Sequence, residues 1–424
     1  MSSHVAIWLI AAASVGAVIV RPFDIIEAVW PVSGATLLVV FGLLAPAVAL
    51  RGVVKGVDVY LFLTGMMLLA EVARSEGLFD WLAAIAARRA DGSGEKLFLL
   101  TYCVGTVVTV FLSNDATAVV LTPAVAAAAR AAKVEQPLPY LLICAFIANA
   151  ASFVLPISNP ANLVVYGAHM PSLWQWLSRY LPPSAISIVL TYVLLRRTQR
   201  AALRQTIATE VALPKLSAGG KAAAAGISAT AVLLLTASGL DTPLGLPTFI
   251  AGLSTAALVL IGRPIKAWRL IRDISWGVLP LVAGLFVLVE ALNETGVIAT
   301  LSEFLREAAS ESVAWAACGA GIAVAAASNL ANNLPVGLIA GSAIQSGHIA
   351  DPVTRAVLIG VDLGPNLSVT GSLATILWLG ALRREGQQVK PLAFLALGIV
   401  IMPATLFGAM ALVLALGIIA PSLM

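Results

Sequence analysis

The sequence predicts an all-α polytopic membrane protein. Of its 424 residues, 60% are hydrophobic and 11% are charged, whereas soluble domains carry about 25% charged residues. A helix needs about 20 apolar residues to cross the hydrocarbon core, so the chain has room for roughly ten to twelve spans. The many Ala, Gly, Leu and Val residues indicate closely packed helices and not the alternating strands of a membrane barrel.

The basic residues and the cysteines exclude several other classes of protein. The net charge of +4 comes from 25 Lys and Arg residues that cluster in a few loops. Such clustering sets the orientation of a membrane protein by the positive-inside rule, so we expect no nucleic-acid partner. Cys103, Cys144 and Cys318 lie in apolar segments without metal or disulfide spacing, and we expect neither a metal site nor a cofactor.

Two regions predict re-entrant hairpins. Residues 97–130 and residues 313–346 each contain two short apolar stretches that a few polar residues separate. Each stretch is too short to cross the bilayer alone, so we expect the tips to stop partway across. Non-helical backbone at membrane depth is tolerated only where it is buried in protein or lines a wet cavity.

The two halves of the chain repeat each other. The aligned segments, in order, are "LTGMMLLAEVARSEGL" (63–78) with "VAGLFVLVEALNETGV" (282–297), "LSNDA" (112–116) with "ASNLA" (327–331), and "LPISNPANL" (155–163) with "LSVTGSLAT" (367–375). Three matches in the same order indicate an internal repeat. The first match aligns Gly65 with Gly284, Glu71 with Glu290 and Gly77 with Gly296. Both glutamates lie near helix ends, which predicts a solvated cap or a salt bridge within the scaffold.

The predicted organisation is two repeats joined by a linker. Residues 1–196 form the first repeat, 197–221 the linker and 222–424 the second repeat. Besides its hairpin, each repeat contains a broken helix, at 138–168 in the first and at 354–382 in the second.

Basic residues predict that the second repeat is inverted relative to the first. The linker is rich in Arg and Lys and is therefore expected in the cytoplasm. Arg130 places the base of the first hairpin inside, whereas Lys266 and Arg272 place the start of span 274–292 inside and the base of the second hairpin outside. Arg51 and Lys55 then fall outside, against the rule.

The polar residues at the breaks are the candidate site. Inverted repeats with interrupted helices are typical of secondary transporters, whose substrate binds near the midplane. Asp115 and Asp362 are the intramembrane carboxylates nearest the breaks, and we expect them to carry protons or coupling ions. The candidate substrate-binding residues are Ser113, Asn114, Thr117, Asn159, Asn162, Ser328, Asn329, Asn332, Asn333 and Thr370. The alternative is that these side chains cap helices, hold helices together or stabilise kinks without a ligand.

Four motifs resemble those of arsenite permeases of the ArsB type, which belong to the ion transporter superfamily. They are "FLSNDATAVVLTP", "LPISNPANLVV", "SNLANNLP" and "DLGPNLSVTGSLATILW". The resemblance implies an elevator-like fold in which hairpin tips and broken helices bind substrate and coupling ions. It carries over to Ser113 and Asn114 on the first tip, and to Ser328 and Asn329 on the second. Asp115 and Leu330 depart from the Thr that the dicarboxylate branch has at these places.

The expected function is efflux of arsenite, and of antimonite, across a bacterial inner membrane with proton influx. A carboxylate at the tip would repel a dianion, whereas neutral arsenite can be hydrogen-bonded by Asn and Ser. The resemblance also allows a cytoplasmic ATPase subunit as partner. A sodium-coupled antiporter or organic-anion symporter is the alternative, and a channel is a further one, because "SNPAN" contains an Asn-Pro-Ala triplet. No protease-type or nucleophile motif predicts an enzyme.

Overall fold

The computed structural model of the chain describes residues 3–20, 22, 25–167, 170–240, 242–261 and 264–419. The described residues form helices almost throughout, and they contain no β-strand beyond an isolated bridge between Ser93 and Thr206. The prediction of an all-α fold is confirmed. The predicted boundaries at residues 1, 168 and 424 lie outside the described residues.

The first half contains helices α1 to α12. They are α1 (Ser3–Val20), α2 (Val29–Val40), α3 (Pro46–Lys55), α4 (Val57–Ser75), α5 (Leu78–Arg89), α6 (Gly94–Phe111), α7 (Asn114–Ala116), α8 (Thr122–Ala131), α9 (Leu138–Ala150), α10 (Pro160–Tyr166), α11 (Leu173–Thr198) and α12 (Arg200–Leu203). A π-helical turn, Thr117–Leu121, joins α7 to α8, so the helix continues from Asn114 to Ala131. A 3-10 turn, Pro156–Ser158, lies between α9 and α10.

The second half contains helices α13 to α22. They are α13 (Ala218–Gly239), α14 (Gly245–Leu260), α15 (Pro264–Asp273), α16 (Val278–Glu294), α17 (Val297–Glu311), α18 (Val313–Ala331), α19 (Asn333–Gly347), α20 (Asp351–Leu363), α21 (Leu373–Arg384) and α22 (Pro391–Ile419). A 3-10 turn, Gly364–Asn366, follows α20.

Of the described helices, six are long and apolar enough to cross a bilayer. They are Ser3–Val20, Gly94–Phe111, Ala218–Gly239, Ile265–Glu294, Val313–Ala331 and Pro391–Ala415. A seventh results if α3 and α4, which meet at a bend of 45°, count as one span. Continuous helices therefore fall short of the roughly ten to twelve predicted spans, because other apolar helices, such as α2, α9 and α14, are shorter.

Both predicted hairpins are interrupted near their predicted tips. In the first, α6 ends at Phe111 and the helix resumes at Asn114, where the Ser113 hydroxyl accepts a hydrogen bond from the Ala116 N–H (3.1 Å). In the second, only Asn332 separates α18 from α19. Asn332 has a φ of +67° and a ψ of +147°, a positive-φ conformation outside the left-handed helical region that residues with a side chain rarely adopt.

The second break is shorter than the sequence predicts, because α18 continues through Ser328 and Asn329. Both side chains donate to carbonyls one turn earlier in their own helix, Ser328 to Val324 (2.8 Å) and Asn329 to Ala325 (2.8 Å). These bonds are compatible with helical geometry, so the two residues form the last turn of α18 instead of an open tip.

The broken helices are interrupted at residues 151–159 and 364–372. Pro156, Pro160 and Pro365 lack the N–H that a continuous helix would use. The second segments begin with side-chain caps: Asn159 Oδ1 accepts from Ala161 N (3.0 Å), and Ser372 Oγ accepts from Thr375 N (3.1 Å).

Glycines that the repeat alignment pairs have matching environments. Gly77 and Gly296 have φ values of +77° and +82°, and each makes the turn into the following helix, α5 or α17. A Cβ on Gly65 would lie 2.3 Å from the Thr248 carbonyl oxygen of α14, and one on Gly284 would lie 2.7 Å from the Pro31 carbonyl carbon of α2. These matches are what a repeat predicts, and both the repeat and the inverted relation of the halves stay predictions.

The aligned glutamates both form salt bridges. Glu71 accepts from Arg74 Nε (2.8 Å), and Glu290 accepts from Lys55 Nζ (2.5 Å). Arg51 also lies near Glu294, with a closest distance of 3.8 Å. The two cations that break the positive-inside rule are therefore matched by carboxylates on α16.

The linker packs against the base of the first hairpin. Ile207 N donates to the Gly92 carbonyl (3.0 Å), and Ala208 N donates to the Ala132 carbonyl (2.8 Å). Arg130, on the same hairpin base, donates to Glu385 after α21 (2.6 Å). We call the side of the molecule that carries these contacts the linker face. That this face is cytoplasmic stays a prediction.

The tight crossing of α4 and α14 gives a testable prediction. Gly65→Ala should lower the free energy of unfolding by about 1–3 kcal/mol, because the new methyl group overlaps the α14 backbone. The measurement is thermal unfolding of the purified protein in detergent. Gly380→Ala is the matched control, since a Cβ there meets nothing within 4 Å. Equal melting temperatures for the two variants would contradict the packing described here.

Candidate transport site

The helix starts that follow the four breaks meet at one small cavity of about 30 Å³. Its lining includes the first residues of α7, α10, α19 and α21 or the residues just before them, namely Asn114, Asp115, Asn159, Pro160, Asn333, Leu334, Ser372, Leu373 and Ala374. A helix start has unpaired N–H groups and the positive end of the helix dipole. Several of these N–H groups already donate within the protein, among them those of Asp115, Asn333 and Leu334. The positive ends of the helix dipoles still face the cavity and favour an electron-rich group there.

The rest of the lining is apolar and comes from two other helices. Leu63 belongs to α4, and Val278 and Val282 belong to α16. Val278 is the first residue of α16, so the cavity combines polar groups from the four breaks with hydrocarbon side chains from α4 and from the first turns of α16.

A larger vestibule of about 560 Å³ adjoins the small cavity. The two spaces share Leu63, Asp115, Pro160 and Val278 as lining residues. The vestibule is also lined by Ser113 and, toward the linker face, by charged residues at helix ends, namely Glu71, Arg74, Asp273, Arg384 and Glu385. Asp115 can therefore be reached from the linker face.

Asp115 is the carboxylate at the junction of the two spaces. It lies in the first turn of the helix that continues to Ala131, and its N–H donates to Asn114 Oδ1 (2.9 Å). Among the described residues, its carboxylate has neither an ion pair nor a hydrogen bond. The positive end of the helix favours the negative charge at this position.

Asp362 lies deeper and fixes Asn159. Its Oδ1 accepts from Asn159 Nδ2 (2.7 Å), and its side chain is fully buried. Asn159 also caps α10, so both ends of its amide are held. Asp362 lines neither cavity, and its Oδ2 has no hydrogen-bond partner in the described part of the chain.

A second link between the broken helices involves Asn149, which sequence reasoning missed. Asn149 Nδ2 donates to Asn366 Oδ1 (3.0 Å), and Asn366 Nδ2 donates to the Phe146 carbonyl (3.2 Å). The Ser372 hydroxyl lies 3.5 Å from Asn149 Oδ1. The only signal in the sequence was the position of Asn149 just before the first broken segment.

Of the candidate binding residues, four line the cavities. They are Ser113, Asn114, Asn159 and Asn333. The backbone N–H of Asn333 donates to the Gly371 carbonyl (2.9 Å), whereas its side chain makes no hydrogen bond to any described residue. This amide is therefore available to a solute.

The other six candidates bind protein groups around the breaks. Thr117 Oγ1 lies 2.8 Å from Thr109 Oγ1, and Asn162 Nδ2 donates to the Ser152 carbonyl (2.9 Å). Asn332 Oδ1 accepts from Leu334 N (3.2 Å), which caps α19.

On the second hairpin, the contacts reach the neighbouring broken helix. Asn329 Nδ2 donates to the Gly364 carbonyl (2.9 Å), and Thr370 Oγ1 donates to the Asn329 carbonyl (3.1 Å). Ser328 bonds only within α18 among the described residues. These side chains hold the breaks in shape and do not face either cavity.

Helices that break inside an apolar bundle, with their starts around one cavity, define a membrane transporter. Comparisons with known proteins agree. A family model described as citrate transporter matches residues 10–360. The chain therefore belongs to the citrate transporter family.

Among its relatives are arsenical pump membrane proteins. The one from Yersinia enterocolitica is 30% identical over 344 residues, which cover 78% of this chain and 80% of that protein. The one from Escherichia coli strain K12 is also 30% identical over 344 residues, with the same coverage. The resemblance drawn from the four sequence motifs is confirmed.

A solved structure shows the same fold. The crystal structure of the Alcanivorax borkumensis YdaH transporter, described as having an unusual topology, superposes with a TM-score of 0.58. The match covers 88% of each chain at 16% sequence identity.

The link between the broken helices can be tested by a double-mutant cycle. Asn149→Ala and Asn366→Ala should each lower the free energy of unfolding by about 1–3 kcal/mol, because each leaves a buried amide unpaired. Together they should show a coupling of about 0.5–3 kcal/mol. Unfolding in detergent provides the measurement, and the exposed Asn293→Ala, combined with Asn149→Ala, serves as the additive control. Additivity in both cycles would contradict the link.

Access to the vestibule can be tested with cysteines. In a Cys103→Ser background, Ser113→Cys should react with a charged, membrane-impermeant thiol reagent added from the linker face, because Ser113 lines the vestibule. Ser328→Cys is the control, since Ser328 is fully buried and lines neither cavity. Equal labelling rates at the two positions would argue against the vestibule as an access route.

Proposed function

We propose that the protein is a secondary active transporter that exports arsenite, and antimonite, across the inner membrane in exchange for protons. The observation that carries the proposal is the lining of the small cavity, which among the described residues contains a carboxylate, amides and a hydroxyl but no Lys, Arg or Cys. A citrate-like anion would meet the Asp115 carboxylate without a cation to offset it. A small neutral solute fits this lining better.

Arsenite at neutral pH is an uncharged trihydroxide. Each hydroxyl both donates and accepts hydrogen bonds, so it suits a site that offers both kinds of group. The Asn333 side-chain amide supplies donors, and Asp115 and Ser372 supply acceptors. Trivalent arsenic also binds thiolates, yet Cys103, Cys144 and Cys318 lie away from the described lining of both cavities. Hydrogen bonding is therefore the proposed mode of recognition.

Asp115 is the proposed proton carrier. As a carboxylate it accepts a hydrogen bond from an arsenite hydroxyl, and a protonated Asp115 is a weaker acceptor. Proton and substrate therefore compete for the same group. Where protons are plentiful, outside the cell, Asp115 takes a proton and arsenite leaves; in the cytoplasm the proton dissociates and arsenite binds.

Asp362 is proposed to take part in the coupling although it lines neither cavity. Its Oδ1 holds Asn159, and its Oδ2 is an acceptor without a partner among the described residues. A proton on Oδ2 would lower the energetic penalty of burying the charge while leaving the bond to Asn159 intact.

The proposed movement is elevator-like. The hairpins and broken helices would carry the small cavity past α4 and α16, whose apolar side chains form the remaining lining. The linker face is proposed to be cytoplasmic, so the vestibule would admit arsenite from the cytoplasm. A cytoplasmic ATPase subunit docked on this face is the alternative source of energy for transport.

Sodium coupling is the second candidate. Asn162 Oδ1 and Asp362 Oδ2 are buried acceptors without hydrogen-bond partners in the described residues, and such oxygens are suitable Na⁺ ligands. Transport that requires a sodium gradient, and not a pH gradient, would favour this candidate.

The decisive variant is Asp115→Asn. In everted membrane vesicles with an interior-acid pH gradient and without ATP or sodium, the intact protein should accumulate labelled arsenite. Asp115→Asn should lower this accumulation at least tenfold (about 1.4 kcal/mol per factor of ten), because the amide does not gain or lose a proton in this pH range. Exchange of labelled for unlabelled arsenite should persist in part.

The matched control is Asp80→Asn, because Asp80 is exposed on α5 and lines neither cavity. Its accumulation should equal that of the intact protein. Undiminished accumulation in Asp115→Asn would remove Asp115 from the coupling. Failure of the intact protein to accumulate arsenite without ATP or sodium would point to an ATPase partner or to sodium coupling.

A further inference from the structure

The small cavity has two chemically different surfaces. Its polar surface comes from the four breaks, as described above. Its apolar surface includes Leu63 of α4 and Val278 and Val282 of α16, which we call the apolar wall. Leu63 and Val282 are aligned by the sequence repeat, and they are 4% and 0% exposed. The two halves therefore contribute aligned positions to the same wall.

The residues of the apolar wall do not all line the same space. Leu63 and Val278 line the vestibule as well as the small cavity, so they lie where the two spaces meet. Val282 lines only the small cavity. A change at Val282 therefore alters the binding space without altering the described lining of the vestibule.

We propose that the apolar wall is the specificity determinant of the site: it faces the non-hydroxyl side of a pyramidal oxyacid and sets how large that side can be. The proposal rests on the proposed function. In a trivalent trihydroxide the three oxygens lie on one side of the central atom, and the lone pair lies on the other. The oxygens match the polar surface, and the lone pair, a poor hydrogen-bond partner, matches hydrocarbon.

The chemical class that follows is the neutral trivalent oxyacid with at least two hydroxyls. A carbon substituent in place of the third hydroxyl would have to lie against the wall, because the polar surface would otherwise lose hydrogen bonds. A cavity of about 30 Å³ leaves no room for a bulky substituent. The intact protein should therefore favour arsenite strongly over its phenyl-substituted dihydroxide.

Enlarging the small cavity by shortening a side chain of the apolar wall tests the proposal in one direction. In the vesicle assay, Leu63→Ala should raise the ratio of phenyl-dihydroxide transport to arsenite transport by about tenfold or more, as expected when several methylene equivalents of space are opened in an apolar pocket. Leu377→Ala is the matched control, because Leu377 lines only the vestibule. A ratio is insensitive to how much protein reaches the membrane.

Narrowing the small cavity by lengthening a side chain of the apolar wall tests the proposal in the other direction. Antimony has longer bonds to oxygen than arsenic, so Val282→Ile should lower antimonite transport more than arsenite transport, with a fall in their ratio of about tenfold for the added methylene. Val119→Ile is the control, since Val119 also lines only the vestibule. If Leu63→Ala fails to accumulate in the membrane, Val278→Ala tests the same wall at a less buried position.

The outcomes separate this inference from the proposed function. Unchanged ratios in Leu63→Ala and Val282→Ile, in a protein that transports arsenite, would overturn the wall as specificity determinant and leave the proposed function standing. Equal changes in the vestibule controls would also overturn it, because the effect would then not be specific to the small cavity. An intact protein that transports no arsenite, even with ATP and sodium supplied, would overturn both.

Discussion

The requirement that buried backbone groups find hydrogen-bond partners governs the centre of this protein. A break inside an apolar bundle releases carbonyl and N–H groups that neither lipid nor hydrocarbon side chains can satisfy. Asn162 therefore binds the Ser152 carbonyl, Asn329 binds the Gly364 carbonyl, and Asn159 and Ser372 cap the helices that follow. Most of the polar residues serve the breaks themselves. What remains for a solute is a short set of groups around one small cavity.

The same hydrogen bonds connect the two halves of the chain. Asn159 of the first broken helix binds Asp362 of the second, and Asn149 binds Asn366 in the same way. All four side chains are buried, so separating either pair would leave unpaired polar groups in an apolar interior. A movement of one broken helix must therefore carry the other with it. This favours a rigid moving unit over independent opening of one half.

Local signals in the sequence were enough to predict the helices, the breaks and the scaffold salt bridges of Glu71 and Glu290. Proline, glycine and polar residues in apolar runs act on their own segment, and their effect is visible without tertiary contacts. The tip at Ser328 was predicted too early in the chain, because a side chain that bonds back to its own helix looks, in sequence, like one at a break. The roles of Asn149 and Leu63 depend on neighbours more than 200 residues away, which spacing alone cannot reveal.

The position of Asp115 explains why a carboxylate can sit between two apolar runs. An isolated charge at membrane depth is expensive, and among the described residues no cation pairs with this one. The helices that follow the four breaks begin at the cavity that Asp115 lines, and the positive ends of their dipoles favour a negative group there. A neutral solute leaves that balance undisturbed, whereas an anion would compete with Asp115 for it. In the proposed mechanism, the group that disfavours an anionic substrate is therefore also the group best placed to exchange a proton for a neutral one.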